Sequence, residues 1–199
     1  NDPVCLILGD NIYYGEGLQK KLMKSAALTA GAEIYAYHVK DPARYGVVDF
    51  DTNGKATSIV EKPTQPLSNW AVSGLYFYDN KVVDIAKAVK PSARGELEIT
   101  DVNNAYLRDG KMSVQKMGRG YAWFDTGTPD SLQDAASFVQ TIYRRQSYKI
   151  ACLEEIAMEK GWVSTEQTLA RAHEIGKGEY ALYLQGRAVE AGSEGHNNG

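Results

Sequence analysis

The sequence predicts an α/β core followed by a helical extension. Three observations carry this. Over residues 4–128, short apolar or alternating runs are interleaved with stretches whose apolar residues recur at helical spacing. From Pro129 onward the spacing is helical throughout. Two carboxylates, Asp10 and Asp125, each follow an apolar run, and ligands of open α/β sheets gather outside the carboxyl ends of strands.

Val4 to Leu8 is a continuous apolar run, as in a strand buried on both faces. Leu18, Leu22, Met23, Ala26 and Ala27 have helical spacing, and Gly31 is a plausible stop. Glu33 to Val39 alternates and is rich in β-formers, so it reads as a strand that Asp41-Pro42 breaks. Residues 45–51 and 56–61, joined by Thr52-Asn53-Gly54-Lys55, read as a hairpin. Trp70 to Tyr78 is a further strand. Residues 79–89 and 97–107 are helical, and Met112 to Met117 is a strand leading towards Trp123. Thr128-Pro129-Asp130 suits a helix start with proline at its first position. The expected organisation is an α/β part over 1–128, a helical extension over 129–189, and a disordered, almost apolar-free tail over 190–199.

Composition narrows the function classes. The chain has 199 residues, 43% of them hydrophobic and 24% charged, which suits an ordinary globular domain with a sizeable core. A net charge of −3 argues against a nucleic-acid polymer as partner. No apolar run approaches the roughly 20 residues that span a bilayer, and no basic leader precedes an apolar core, so no membrane partner is expected. Two scattered cysteines, Cys5 and Cys152, suggest reduced thiols in the cytoplasm, not a disulfide framework.

The chemistry starts from the two aspartates. Singly, a strand-end aspartate is more often a cap or turn former. As a converging pair they would suit Mg²⁺, which takes one or two carboxylates and fills its octahedron with water and phosphate oxygens. Between them lie Arg44-Tyr45-Gly46-Val47-Val48, Glu61-Lys62-Pro63, Val72-Ser73-Gly74-Leu75-Tyr76-Phe77-Tyr78 and Ala93 to Asp101 (ARGELEITD). With Leu8-Gly9-Asp10-Asn11 and Trp123-Phe124-Asp125-Thr126-Gly127-Thr128, in this order and spacing, they resemble the glucose-1-phosphate thymidylyltransferases over about the first 160 residues.

That resemblance implies a Rossmann-like nucleotidyltransferase sheet, present in part. It implies Mg²⁺-dependent transfer from dTTP to glucose 1-phosphate, giving dTDP-glucose and pyrophosphate, on the route to deoxysugars such as rhamnose. A cytoplasmic homo-oligomer, a tetramer in the family, is expected. By resemblance Asp10 and Asp125 hold the metal. Lys62 and Arg94 neutralise phosphate charge, the first as a compact cation and the second as a fork. Glu61 accepts sugar hydroxyls, Gly46 and Gly74 admit the sugar to the backbone, and Tyr45 and Val72 line its site. Asp10, Asp125, Lys62 and Arg94 are the expected catalytic set. Tyr14 and Gly15, with Glu155 and Ile156, fall near the family's regulatory nucleotide site between subunits.

Each residue alone also has a plain reading. Arg94 suits a helix-start residue pairing with Glu96 or Glu98, and Gly46 and Gly74 suit a bulge and a tight contact. His38 and His173 read as structural. The family's glycine-rich loop, approximately GGxGTRLxPxT, has no counterpart here. About the first hundred residues of the family chain are therefore expected to lie outside this sequence, and with them the loop that cradles the triphosphate. On that ground the isolated chain is expected to be catalytically silent, binding sugar phosphate or assembling only. A uridylyl- or adenylyltransferase of the same fold is the competing enzyme. A phosphatase with a nucleophilic aspartate would want a second aspartate two residues beyond Asp10, where Ile12 stands.

Overall fold

The computed structural model describes residues 2–194. The chain divides into two compact units, Asn1–Ser137 and Phe138–Gly199. The first holds strands β1 (Val4–Ile7), β2 (Asn11–Gly15), β3 (Ala32–His38), β4 (Gly46–Phe50), β5 (Ala56–Glu61), β6 (Trp70–Tyr78), β7 (Met112–Met117) and β8 (Tyr121–Asp125). Its helices are α1 (Leu18–Ala26), α2 (Val82–Ala88) and α3 (Ile99–Arg108). Helix α4 (Pro129–Gln146) carries the chain into the second unit, which holds α5 (Leu153–Glu159), α6 (Thr165–Ile175) and α7 (Glu179–Glu194).

The main sheet runs β5-β4-β6-β3-β7, with β1 added to β6. Only β3 and β7 are parallel; the other pairs are antiparallel. Strand β6 is the spine, and β3 follows one of its edges from Trp70 to Tyr78. The other edge is shared, with β4 at Ala71 and β1 at Leu75–Tyr78. Leu8 N still donates to Gly74 O at 2.9 Å, and the two strands part at Val72–Ser73, which opens a gap beside the spine. A separate ribbon pairs β2 with β8, Asn11 opposite Asp125 and Gly15 opposite Tyr121.

Alternation along β3 and β6 sends side chains to two cores. Ile34, Tyr76 and Tyr78 join Val48, Ile59 and the helix residues Val82, Val102 and Tyr106 on one face. Tyr35, Leu75 and Phe77 join Met117 and Trp123 on the other, with Tyr13 and Leu22 packed against them. The first unit is thus layered, with α2 and α3 on one face, and α1 and the β2–β8 ribbon on the other. In the second unit Cys152, Ala172 and Leu184 form the core.

The structure departs from the sequence expectations at three places. The first strand is not buried on both faces. Val4 and Leu6 are more than a third exposed and Ile7 is 54% exposed, because β1 pairs with β6 alone among the described residues. Strand β2 was not expected. In addition, α7 continues through Glu194, five residues into the stretch read as a tail. Residues 195–199 of that expectation lie outside the described residues.

Candidate active site

The gap beside β6 is a cleft of about 240 Å³. It lies at the carboxyl ends of three strands. Leu8 and Asp10 follow β1, Glu61 and Lys62 close β5, and Asp125 ends β8. Gly46 enters from the start of β4, and Val72, Gly74 and Tyr76 form the wall along β6. Asp10, Asp125, Tyr45, Gly46, Glu61, Lys62, Val72 and Gly74, eight positions singled out from the sequence, therefore surround one cavity.

The two aspartates converge. A point one bond from the Gly127 Cα, where a Cβ would sit, lies 3.2 Å from Asp125 Oδ1 and 3.5 Å from Asp10 Oδ2. Glycine keeps that point free. The donors are hard carboxylate oxygens, which suit Mg²⁺ and leave room for water and phosphate. Asp10 is held by its carbonyl, which accepts from Thr126 N (2.8 Å) and Thr126 Oγ1 (2.7 Å). The backbone N–H of Gly127 donates to Asp125 Oδ1 at 3.2 Å.

Opposite the aspartates, Glu61 and Lys62 are placed by β5. Thr100 Oγ1 donates to Glu61 Oε2 at 2.5 Å. A Cβ on Gly46 would lie 3.1 Å from that hydroxyl and 3.2 Å from the carboxylate, so glycine preserves the contact. Lys62 has φ of 41°, in the left-handed region, and its N–H donates to Tyr45 O at 2.9 Å. A lysine held there stores strain of order 1 kcal/mol. Tyr45 packs on Trp123 with ring centroids 5.2 Å apart. Burial pushes the Tyr45 hydroxyl's pKa up. Burial does the same to Tyr76, with the Glu61 charge adding to it, so both phenols stay neutral hydrogen-bonding groups.

Arg94 is set apart from these. It does not line the cleft, and its guanidinium engages Glu96 at 2.7 Å, Glu98 at 3.6 Å and Glu61 at 3.7 Å. Among the described residues it meets the cleft lining at Glu61. Tyr14 and Gly15 lie on β2 and line a different cavity with Glu16, Leu18 and Leu22. Glu155 and Ile156 lie on α5 of the second unit, where Glu155 is buried and accepts from Tyr183 Oη and Arg187 Nε. His38 packs edge-on against Trp70. His196 lies outside the described residues.

Sequence reasoning missed Arg44, Asn11 and Thr100 as cleft residues. Each stood inside a quoted motif, but nothing in a linear pattern tells that Thr100, opening α3, meets Glu61 39 positions earlier.

The cleft sets paired carboxylates, a Glu-Lys strand end and glycine walls around one space in an α/β unit. The matching family model, nucleotidyl transferase, covers residues 1–142, and the chain belongs to that family. A glucose-1-phosphate thymidylyltransferase of Neisseria meningitidis is 57% identical over 92% of this chain and 64% of its own length. A crystallised Bacillus anthracis protein assigned to the same activity, solved with sucrose, is 42% identical with a TM-score of 0.61, over 69% of this chain and 55% of that one. A UDP-glucose pyrophosphorylase bound to UDP-glucose, 20% identical with a TM-score of 0.59 over 73% of this chain and 58% of that one, shares the fold alone. The fold is thus the mixed α/β, Rossmann-like sheet of nucleotidyltransferases. The chain spans just under two thirds of the length of the curated relatives it matches.

Proposed function

We propose that this chain supplies the sugar-phosphate and metal side of a Mg²⁺-dependent glucose-1-phosphate thymidylyltransferase. In the reaction, a phosphate oxygen of glucose 1-phosphate attacks the α-phosphorus of dTTP. The bond from that phosphorus to the bridging oxygen breaks, and pyrophosphate leaves. Such transfers need alignment and charge compensation more than covalent chemistry. The observation that carries the reading is the single cleft that gathers Asp10 and Asp125 with Glu61 and Lys62.

Asp10 and Asp125 would hold Mg²⁺, which when bound offsets phosphate charge. Lys62 binds the sugar phosphate, and Arg94 reaches it on exchanging its carboxylate partners for phosphate oxygens. Glu61, oriented by Thr100, accepts from sugar hydroxyls. Gly46, Gly74 and Val72 leave a close, partly apolar wall for the ring, and Tyr45 borders it. The relatives' names support thymidine over the competing bases, since the likeness to the UDP-glucose enzyme extends to fold only. We further propose a cytoplasmic homo-oligomer. Its regulatory nucleotide site would lie between subunits. No helix among the described residues is long and apolar enough to cross a membrane.

The test is pyrophosphate release from the whole protein with glucose 1-phosphate and dTTP, UTP or ATP. Turnover should be highest with dTTP, and should fall at least ~10²-fold in Asp10→Asn or Asp125→Asn, the scale of losing one preorganised electrostatic contact. Near-unchanged turnover in either variant would remove the metal assignment. A preference for UTP or ATP would replace the thymidylyl one.

A further inference from the structure

We propose that Asn11 is a positioning residue: it fixes the Asp10 carboxylate by bracing it against the Trp123 indole. This rests on the reading of Asp10 and Asp125 as Mg²⁺ ligands. The indole Nε1–H can only donate, and it lies 2.6 Å from Asn11 Oδ1. The partner therefore dictates which way the amide points. Asn11 Nδ2 is left facing Asp10 Oδ1, to which it donates at 2.8 Å. With its carbonyl pinned by Thr126 and Oδ1 occupied by Asn11, Asp10 keeps Oδ2 free, and Oδ2 is the oxygen that shares the Gly127 point with Asp125 Oδ1.

The rest of the frame is fitted to this bridge. Asn11 stands opposite Asp125 in the β2–β8 register. Trp123 is 8% exposed and packs against Tyr37 and Tyr45, so the brace ends on a buried, packed ring. Gly74, at φ 37°, makes room for it: a Cβ there would fall 2.7 Å from Asn11 Oδ1. An amide is the side chain that can do both jobs at this length. An aspartate would set like charge against Asp10, and an apolar residue would take away the acceptor 2.6 Å from the indole N–H. The brace spends ordering entropy during folding, so that less is lost when the cation arrives.

The experiment is Mn²⁺ binding, followed by electron paramagnetic resonance without substrate. Mn²⁺ reports the same hard-oxygen site. Asp10→Asn should abolish the site. Asn11→Ala should weaken it about fivefold, the net worth of one hydrogen bond, and Trp123→Phe about twofold, although it leaves every group that touches Asp10 in place. The double variant should be no weaker than Asn11→Ala, because both act through one bridge. Urea melts of metal-free Asn11→Ala should show the variant folded under the binding conditions, so that its lost Mn²⁺ affinity is not general unfolding. Unchanged Mn²⁺ affinity in Asn11→Ala overturns the brace and leaves the metal reading standing. Equal affinity in wild type and Asp10→Asn overturns the metal reading and the brace with it. Should Asn11→Ala fail to fold, Trp123→Phe decides alone, and unchanged affinity there overturns the brace.

Discussion

Lys62 carries two opposed demands on one residue. Its φ of 41° suits glycine, not lysine, and that geometry costs stability while it holds the cation beside Glu61 in the cleft. The two effects can be separated by substitution. Lys62→Ala and Lys62→Gly should both weaken glucose 1-phosphate binding by roughly 10- to 100-fold, the worth of a charged hydrogen bond. They should differ in stability, with Lys62→Gly the more stable by about 1 kcal/mol, because glycine adopts positive φ without a Cβ clash. Calorimetry with the sugar phosphate and urea melts of the two variants check this. A glycine variant no more stable than the alanine one would show that the strain is relieved elsewhere.

At the scale of elements, what could be read from sequence follows from how local its cause is. Strand β6 and the β4–β5 hairpin were legible, because a run of β-formers and the Asn53-Gly54 turn are written within a few residues. Strand β2 was not. It has five residues, ends in Gly15, and owes its extended form to pairing with β8 about 110 positions later. The exposure of β1 was likewise hidden, since an apolar run states a preference for burial and not the presence of a neighbour. The site follows the same division. Asp10, Lys62 and Asp125 stand at strand ends that can be located, whereas Thr100 and Asn11 act through partners far away in sequence. Helix α6 shows the local case at its clearest. Ser164 Oγ accepts from Gln167 N at 3.2 Å, and Gln167 Oε1 accepts from Ser164 N at 2.8 Å, a complete capping box. Ser164→Ala should cost about 1 kcal/mol. Hydrogen exchange should quicken in α6 while the strands of the first unit are unchanged. Equal acceleration in both units would mean that they unfold as one.

At the scale of the first unit as a whole, Asp79 ties together elements that the sequence separates widely. Its Oδ2 accepts from Gly31 N at 2.8 Å, where β3 begins, and the Asp79 N–H returns a bond to Gly31 O. Its Oδ1 accepts from Tyr106 Oη of α3 at 2.7 Å and from Lys81 N at the start of α2 at 3.1 Å. All three groups facing the carboxylate donate, so an asparagine would have to turn its NH₂ towards a donor on one side. Burial by itself would raise the pKa of this buried residue's carboxyl. The bonds from Gly31, Tyr106 and Lys81, with the Lys81 charge, outweigh burial and hold it below the ordinary carboxylate value. The sign follows by linkage. A carboxyl whose pKa is lower folded than unfolded adds stability above the unfolded value, near ~3.9, and loses it as pH falls through the folded value. Asp79→Asn should therefore be less stable than wild type by about 1.5–3 kcal/mol at pH 7. The difference should shrink as pH drops below about 4, because protonation then removes the same charge from the wild type. Urea melts of the two proteins at pH 7 and pH 3 measure it directly. A gap that stays constant between those two values would mean that shape at position 79, and not its charge, holds β3, α2 and α3 together.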